Sequence, residues 1–337
     1  MGHWLDGESS RRHMPSRGDL ESVVSWTGSP AATTGPPNLW TDSPVIARLR
    51  GRRATPDGAA ALARLAASPT WELIPLKNAR DQAAHIPAGA TISVTSSPAK
   101  GQMATIDLSI ELEQRGFRAV PHLSARLIRD KAELVTILDR MADRGIDRAF
   151  VIGGDPTEPG EFEDALALLR TMADAGRLPA EVGIGCYPQG HPLIADDVLL
   201  RALRDKAPFA SYMTTQMCFD PKAIERFIAE RRAEGIALPV KLGVPGVAEI
   251  PKLVSISARI GVRDASKFIM KNTRFVAALL RSGGIYRATG LLENLAPTLA
   301  DPAANVIDLH LYTFNNVGPT EAWRQELLAR FGGDGAR

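Results

Sequence analysis

From Asp57 onward the chain alternates two hydrophobic patterns. Short apolar runs recur at "WELIP" (71–75), "TISVTSS" (91–97), "FRAVPHLS" (117–124), "RAFVIGGD" (148–155), "EVGIGCYP" (181–188), "ASYMTTQ" (210–216), "PVKLGVPG" (239–246) and "NVIDLHLYTF" (305–314). Runs of this length, bounded by turn residues, predict strands. Between most of them lie segments with apolar residues at helical spacing. "DKAELVTILDRMADRG" (130–145) has an Asp near its start and a Gly at its end, and "FEDALALLRTMADAG" (162–176) and "PKAIERFIAERRAEG" (221–235) repeat the pattern. An acidic start and a glycine stop are the physical signs of helix ends. Strands that alternate with helices imply a parallel sheet covered by helices. Eight such units in about 270 residues predict a (β/α)8 barrel over residues 58–333. A doubly wound open sheet is the competing architecture. It would show a Gly-rich GxGxxG turn after its first strand, and none follows Pro75.

Residues 1–57 break the pattern. "GESSRRHMPSRGD" and "TGSPAATTGPPNLWTDSP" are rich in Ser, Thr, Gly, Pro and charge with little periodicity, so they read as a flexible N-terminal extension. The remaining composition changes the picture little. The chain has 337 residues, 45% of them hydrophobic, and a formal net charge of +2, too small to imply a nucleic-acid groove or a membrane surface. No apolar run approaches the roughly 20 residues of a membrane span, and the N-terminus shows no hydrophobic signal core. The two cysteines, Cys186 and Cys218, fall in apolar segments outside any metal-ligand spacing and read as reduced, buried thiols. These features together imply a cytoplasmic protein. They leave open whether it forms a homo-oligomer.

In a barrel of this class the chemistry sits at the C-terminal ends of the strands. Read in order, Glu72 lies in the first strand, Thr95 ends the second, His122 the third and Asp155 the fourth. Tyr187 and His191 end and follow the fifth, Gln216 ends the sixth, and Asn315 and Asn316 follow the eighth. Singly, each has a structural explanation: Thr and Asn satisfy turns, and a lone His is most often a bonded structural residue. A ring of polar groups on one rim is what a ligand pocket needs. Gln216 is the clearest case, because an amide at the end of an apolar strand is costly unless it has something to bind. His122, His191 and Asp155 stand at no diagnostic metal spacing, so no metal is expected. No nucleophile elbow is visible, and "GGDPTEPG" (153–160) lacks the Lys-Ser/Thr of a P-loop.

Seven segments, in order, resemble methylenetetrahydrofolate reductases: "WELIPLK", "SVTSS", "VPHLSAR", "VIGGD", "CYPQGHP", "TTQMCFD" and "LHLYTFNN". They run from about Trp71 to Phe314, one per strand end. The resemblance implies a flavoprotein of one-carbon metabolism and methionine biosynthesis, with FAD as cofactor, NAD(P)H as co-substrate and a folate as substrate. It places Glu72 as general acid, and Asp155 near the flavin as a catalytic and substrate-binding residue. Gln216 becomes the folate amide contact, and Thr95, His122, Gly154, Tyr187, His191 and Lys206 fall around the cofactor. The chain departs from the family pattern at Gly153, where an Arg is frequent. It departs again at Leu73, Ile74, Met217 and Cys218, where aromatics flank the motifs.

The implied reaction reduces 5,10-methylenetetrahydrofolate to 5-methyltetrahydrofolate. The closed imidazolidine ring is a poor electrophile, so protonation at N10 by Glu72 must open it before hydride arrives. Asp155, ionised, would oppose the positive charge that develops. Two alternatives stand beside this reading. One is a flavin-independent folate- or pterin-binding methyl transferase or reductase, which Gly153 favours. The other is a non-catalytic barrel that keeps the rim residues as structure.

Overall fold

The computed structural model describes residues 54–154, 159–259 and 284–332. Each of the eight strand segments read from the sequence forms a strand. In chain order they are β1 (Thr70–Leu73), β2 (Thr91–Val94), β3 (Arg118–Ser124), β4 (Arg148–Ile152), β5 (Glu181–Cys186), β6 (Tyr212–Thr215), β7 (Val240–Pro245) and β10 (Val306–Tyr312). They close into a barrel in which β10 lies between β7 and β1, and every pairing is parallel. The doubly wound alternative is therefore excluded. Two further strands, β8 (Ala248–Glu249) and β9 (Ile285–Tyr286), pair antiparallel outside the barrel.

The helices follow the capping chemistry of the sequence. Asp130 accepts the amide hydrogen of Glu133 at 2.8 Å to start Lys131–Ala142, and Asp164 does the same for Ala167 at 2.8 Å ahead of Ala165–Asp174. A side-chain oxygen at this position satisfies one of the otherwise unpaired first-turn amides. Beyond these helices, Gly145 and Gly176 take φ of 69° and 63°, a left-handed conformation that glycine adopts without steric penalty. The first described helix, Pro56–Ala67, is capped by Thr55, whose hydroxyl accepts the Gly58 amide hydrogen at 3.2 Å. The expectation for the N-terminal extension falls mainly on residues 1–53, which lie outside the described residues.

The core is a sleeve between strands and helices. Trp71, Leu73, Ile92, Val94, Ile184, Leu242 and Leu309 are buried there. Side chains alternate across a strand, so the residues between these point into the barrel. Val120, Phe150 and Tyr212 form a separate small apolar cluster inside. Glycine makes room for its rings: a Cβ on Gly183 would lie 2.4 Å from the Tyr212 ring and 2.6 Å from Phe150. Toward the N-terminal ends of the strands the interior turns ionic. Lys241 Nζ stands 3.6 Å from Glu181 Oε1, 3.6 Å from Asp308 Oδ2 and 3.9 Å from the centre of the Tyr212 ring. Thr70 Oγ1 donates to Asp308 Oδ2 at 2.6 Å, and Arg118 meets Glu181 at 3.1 Å.

Candidate active site at the barrel mouth

The inward positions of β10, β1, β2 and β3 carry a polar belt. His310, Glu72, Ser93 and His122 are all buried, at 3%, 8%, 1% and 6% exposure. Glu72 and Ser93 are register partners on adjacent strands. His310 Nε2 lies 3.2 Å from Glu72 Oε2, and Ser93 Oγ lies 2.7 Å from His122 Nε2. Thr313 Oγ1 donates to the Glu72 carbonyl at 2.5 Å and fixes the backbone beneath the carboxylate. Burial, with His310 as a second cause, pulls the His122 pKa down to about 3, so its ring is neutral at ordinary pH. Rings line this side of the interior: His122 and Phe150 are 4.8 Å apart, Phe150 and His310 6.4 Å, His310 and Tyr312 5.0 Å.

Above the belt, half-buried residues ring the mouth: Thr95, Gly153, Gly154, Gly185, Tyr187, His191, Gln216 and Phe314. Gln216 Oε1 accepts the Met217 amide hydrogen at 2.8 Å, and its backbone N–H donates to the Cys186 carbonyl at 2.7 Å. Its amide nitrogen has no partner among the described residues. Tyr187 and His191 meet edge to face at 5.4 Å, and His191 Nδ1 accepts the Leu193 amide hydrogen at 3.2 Å. Thr95 is held by its backbone, donating to the Leu73 carbonyl at 2.9 Å and accepting from Thr105 Oγ1 at 2.9 Å. Among the described residues, a Cβ on Gly153 would meet nothing within 4 Å, and one on Gly185 would only touch Phe150 and Tyr187 at 4.0 Å. The Ser124 and Thr214 hydroxyls, at inward positions of β3 and β6, are buried without a hydrogen-bond partner among the described residues.

The mouth thus gathers Glu72, Thr95, His122, Gly154, Tyr187, His191 and Gln216. His122 lies within β3 rather than at its end, with Nε2 already engaged by Ser93. Lys206 lies on a helix rather than at a strand end. It is the last residue of the helix Asp196–Lys206, six residues before β6 begins at Tyr212, and stands on the helix side of β5 near Cys186. Burial there lowers its pKa. Asp155 lies outside the described residues. Asn315 and Asn316 prove to be pins. Asn315 Oδ1 accepts the Ile74 amide hydrogen at 2.8 Å while Nδ2 donates to the Ile74 carbonyl at 2.9 Å, and Asn316 Nδ2 donates to the Val247 carbonyl at 2.8 Å. Sequence reasoning passed over His310. Its signal was the run Asp308, His310, Tyr312, three polar or aromatic residues at period two in an otherwise apolar strand.

Glycines at 153 and 185, with hydroxyls and an amide donor unpartnered among the described residues, fit a planar, hydrogen-bonding group such as a flavin or a pterin. Among the described residues, no group of three or more His, Cys, Asp or Glu could hold a metal ion, and no helix is long and apolar enough to cross a membrane.

Comparison with known proteins gives three findings. The family model described as methylenetetrahydrofolate reductase matches residues 76–325, a span that begins four residues after Glu72. The probable methylenetetrahydrofolate reductase (NADPH) of Caenorhabditis elegans is 25% identical over 240 residues, which cover 66% of this chain and 34% of that protein. The chain therefore spans about a third of the length of the curated relative it matches. Among solved structures, a GH18 chitinase from Cycas revoluta in complex with (GlcNAc)3 covers 79% of this chain and 100% of its own at 10% identity, TM-score 0.41. A mutant plant class V chitinase from the same species covers the same shares at 8% identity, TM-score 0.42.

Proposed function

The chain belongs to the methylenetetrahydrofolate reductase family, and from that premise we propose that it reduces 5,10-methylenetetrahydrofolate to 5-methyltetrahydrofolate with NAD(P)H as reductant. The observation that carries the reading is the family match over a closed barrel that holds a buried carboxyl in its interior belt and an amide donor without a partner among the described residues at its mouth. FAD, when bound, would carry the hydride from NAD(P)H to the folate. Gly154, Asp155, Tyr187 and His191, which follow β4 and β5 in the chain, and Thr95, which follows β2, would hold it. His122, deep and neutral, would close the floor under it.

Glu72 does the work the cofactor cannot. Buried within the barrel, it meets the substrate where water is scarce and a proton delivered to N10 is not lost to solvent. Opening of the imidazolidine ring follows that proton, and the open cation accepts hydride. Gln216 would orient the pterin through its free N–H groups, and the Ser124 and Thr214 hydroxyls offer further donors.

The first test is the spectrum of the purified protein. Flavin absorbance, bleached anaerobically by NADH, is the expected result. A colourless protein that still reduces the folate would move the assignment to the flavin-independent reading that Gly153 favours. Binding of neither folate nor flavin would overturn the proposal. Glu72→Gln tests the acid. It should leave flavin content and the NAD(P)H half-reaction near wild type, and slow the folate half-reaction by about 100-fold or more, the usual worth of a positioned acid. Stopped-flow measurement of flavin colour separates the two steps. Equal damage to both would make Glu72 a structural partner of His310 only.

A further inference from the structure

Glu72 does not face the mouth unsupported. One carboxylate oxygen, Oε2, is 3.2 Å from His310 Nε2, while Oε1 has no partner among the described residues. His310 is itself held. It is 3% exposed, its ring lies 6.4 Å from Phe150 at an interplanar angle of 29°, and the Tyr312 ring lies 5.0 Å away at 60°. A ring walled in this way cannot swing, so the side of the carboxyl that it holds is fixed as well.

We propose that His310 is the positioning residue of the Glu72 acid: its Nε2–H donates to Oε2, and the proton destined for substrate is carried on Oε1. This rests on the reading of Glu72 as the acid of a folate reductase and extends it to a residue outside the set read from the sequence. The step balances simply. The O–H bond at Oε1 breaks and the N–H bond at substrate N10 forms. The bonding pair stays on the carboxylate, and the Nε2–H hydrogen bond strengthens as that negative charge appears. His310 keeps its proton throughout. The opposite arrangement, an imidazolium paired with a carboxylate, would leave Glu72 an acceptor only and give the substrate no proton.

His310→Phe keeps a ring and removes the donor; His310→Gln restores an N–H near the same place. In the flavin-loaded enzyme, His310→Phe should slow the folate half-reaction by about 10- to 100-fold, the usual effect of a misplaced catalytic group. The NAD(P)H half-reaction should be unchanged, and His310→Gln should recover most of the loss. In a Glu72→Gln background, His310→Phe should slow the folate step no further, because it acts through the carboxyl already removed. Infrared spectroscopy gives a readout independent of turnover: the protonated carboxyl C=O band, absent in Glu72→Gln, should shift in both His310 variants. Additive slowing, an unshifted band, or equal damage to both half-reactions would overturn the proposal. If Glu72→Gln itself keeps the wild-type folate rate, the acid assignment falls and His310 with it. If Glu72→Gln is slow and His310→Phe is not, only the positioning role falls. Should His310→Phe not fold, the band shift in His310→Gln decides alone.

Discussion

The side-chain amide of Gln216 is half used. Its oxygen caps the following amide at 2.8 Å, which orients the group, and its nitrogen is left for a ligand. Substitution by Leu keeps much of the volume and removes both functions. Gln216→Leu should weaken folate binding by about 1–3 kcal/mol, the penalty for leaving polar groups unpaired, with flavin content unchanged. Titration of the folate against the variant, with flavin content taken from the same sample, checks this. A fall in flavin with intact folate affinity would place Gln216 on the cofactor instead. At this scale much of the site was legible, because a polar side chain at the end of an apolar strand is costly without a partner. Gln216 stood out for that reason, and Glu72 through the resemblance of its strand segment to the family's. His310 did not, because its partner is 238 residues away in the chain and meets it only when β10 closes on β1. Asn315 misled for the opposite reason. It has the composition of a rim residue, yet it takes φ of 52°, a left-handed conformation that Asn tolerates, and uses its amide to tie down Ile74.

At the scale of strands, β7 and β10 each place a charged residue inside the barrel. Burial pushes the Asp308 carboxyl up, and Lys241 and Thr70 offset only part of that rise. Lys241 is 6% exposed, so removing its charge strands Asp308 in a site with little water. Lys241→Met should therefore destabilise the fold by about 3 kcal/mol. The double variant Lys241→Met/Asp308→Asn should recover a large part of that, since the amide keeps a partner for Thr70 and carries no charge. Urea unfolding of wild type, single and double variants decides it; a double variant no better than the single would mean that Lys241 acts through packing on Tyr212. The strands themselves could be read from the sequence because their outward positions are mostly apolar and buried. Helix limits could be read too, from Asp130, Asp164 and the glycines that follow each helix. The ionic layer could not be read, because periodicity shows that Lys241 and Asp308 alternate with apolar neighbours but not that Lys241 meets both Asp308 and Glu181.

For the molecule as a whole, the polar belt links stability to pH. His122 has an ordinary pKa near 6.5 when unfolded and about 3 when folded, chiefly through burial. Between those values the unfolded chain binds a proton that the folded chain refuses. Stability from this group is thus present above pH 6.5 and is lost as pH falls toward 3, by up to ~1.4 kcal/mol per unit. His122→Asn should flatten that part of the stability–pH curve even if it lowers the curve overall; chemical unfolding at a series of pH values between 6.5 and 4 checks it, and an unchanged slope would show that His122 is protonated in the fold. The sequence by itself determined the architecture. Eight apolar runs, most of them followed by an amphipathic segment, bury their hydrophobic faces as a parallel sheet with helices outside, the lack of a GxGxxG turn after the first run favoured the closed form, and the motifs at the strand ends identified the family. Only the tertiary structure decided what the interior does. Closure of the sheet sets the register, and register alone brings His310 to Glu72, Ser93 to His122 and Lys241 to Asp308. Hydrophobic patterning is a property of each segment, whereas a hydrogen bond between distant strands exists only once the chain has closed on itself.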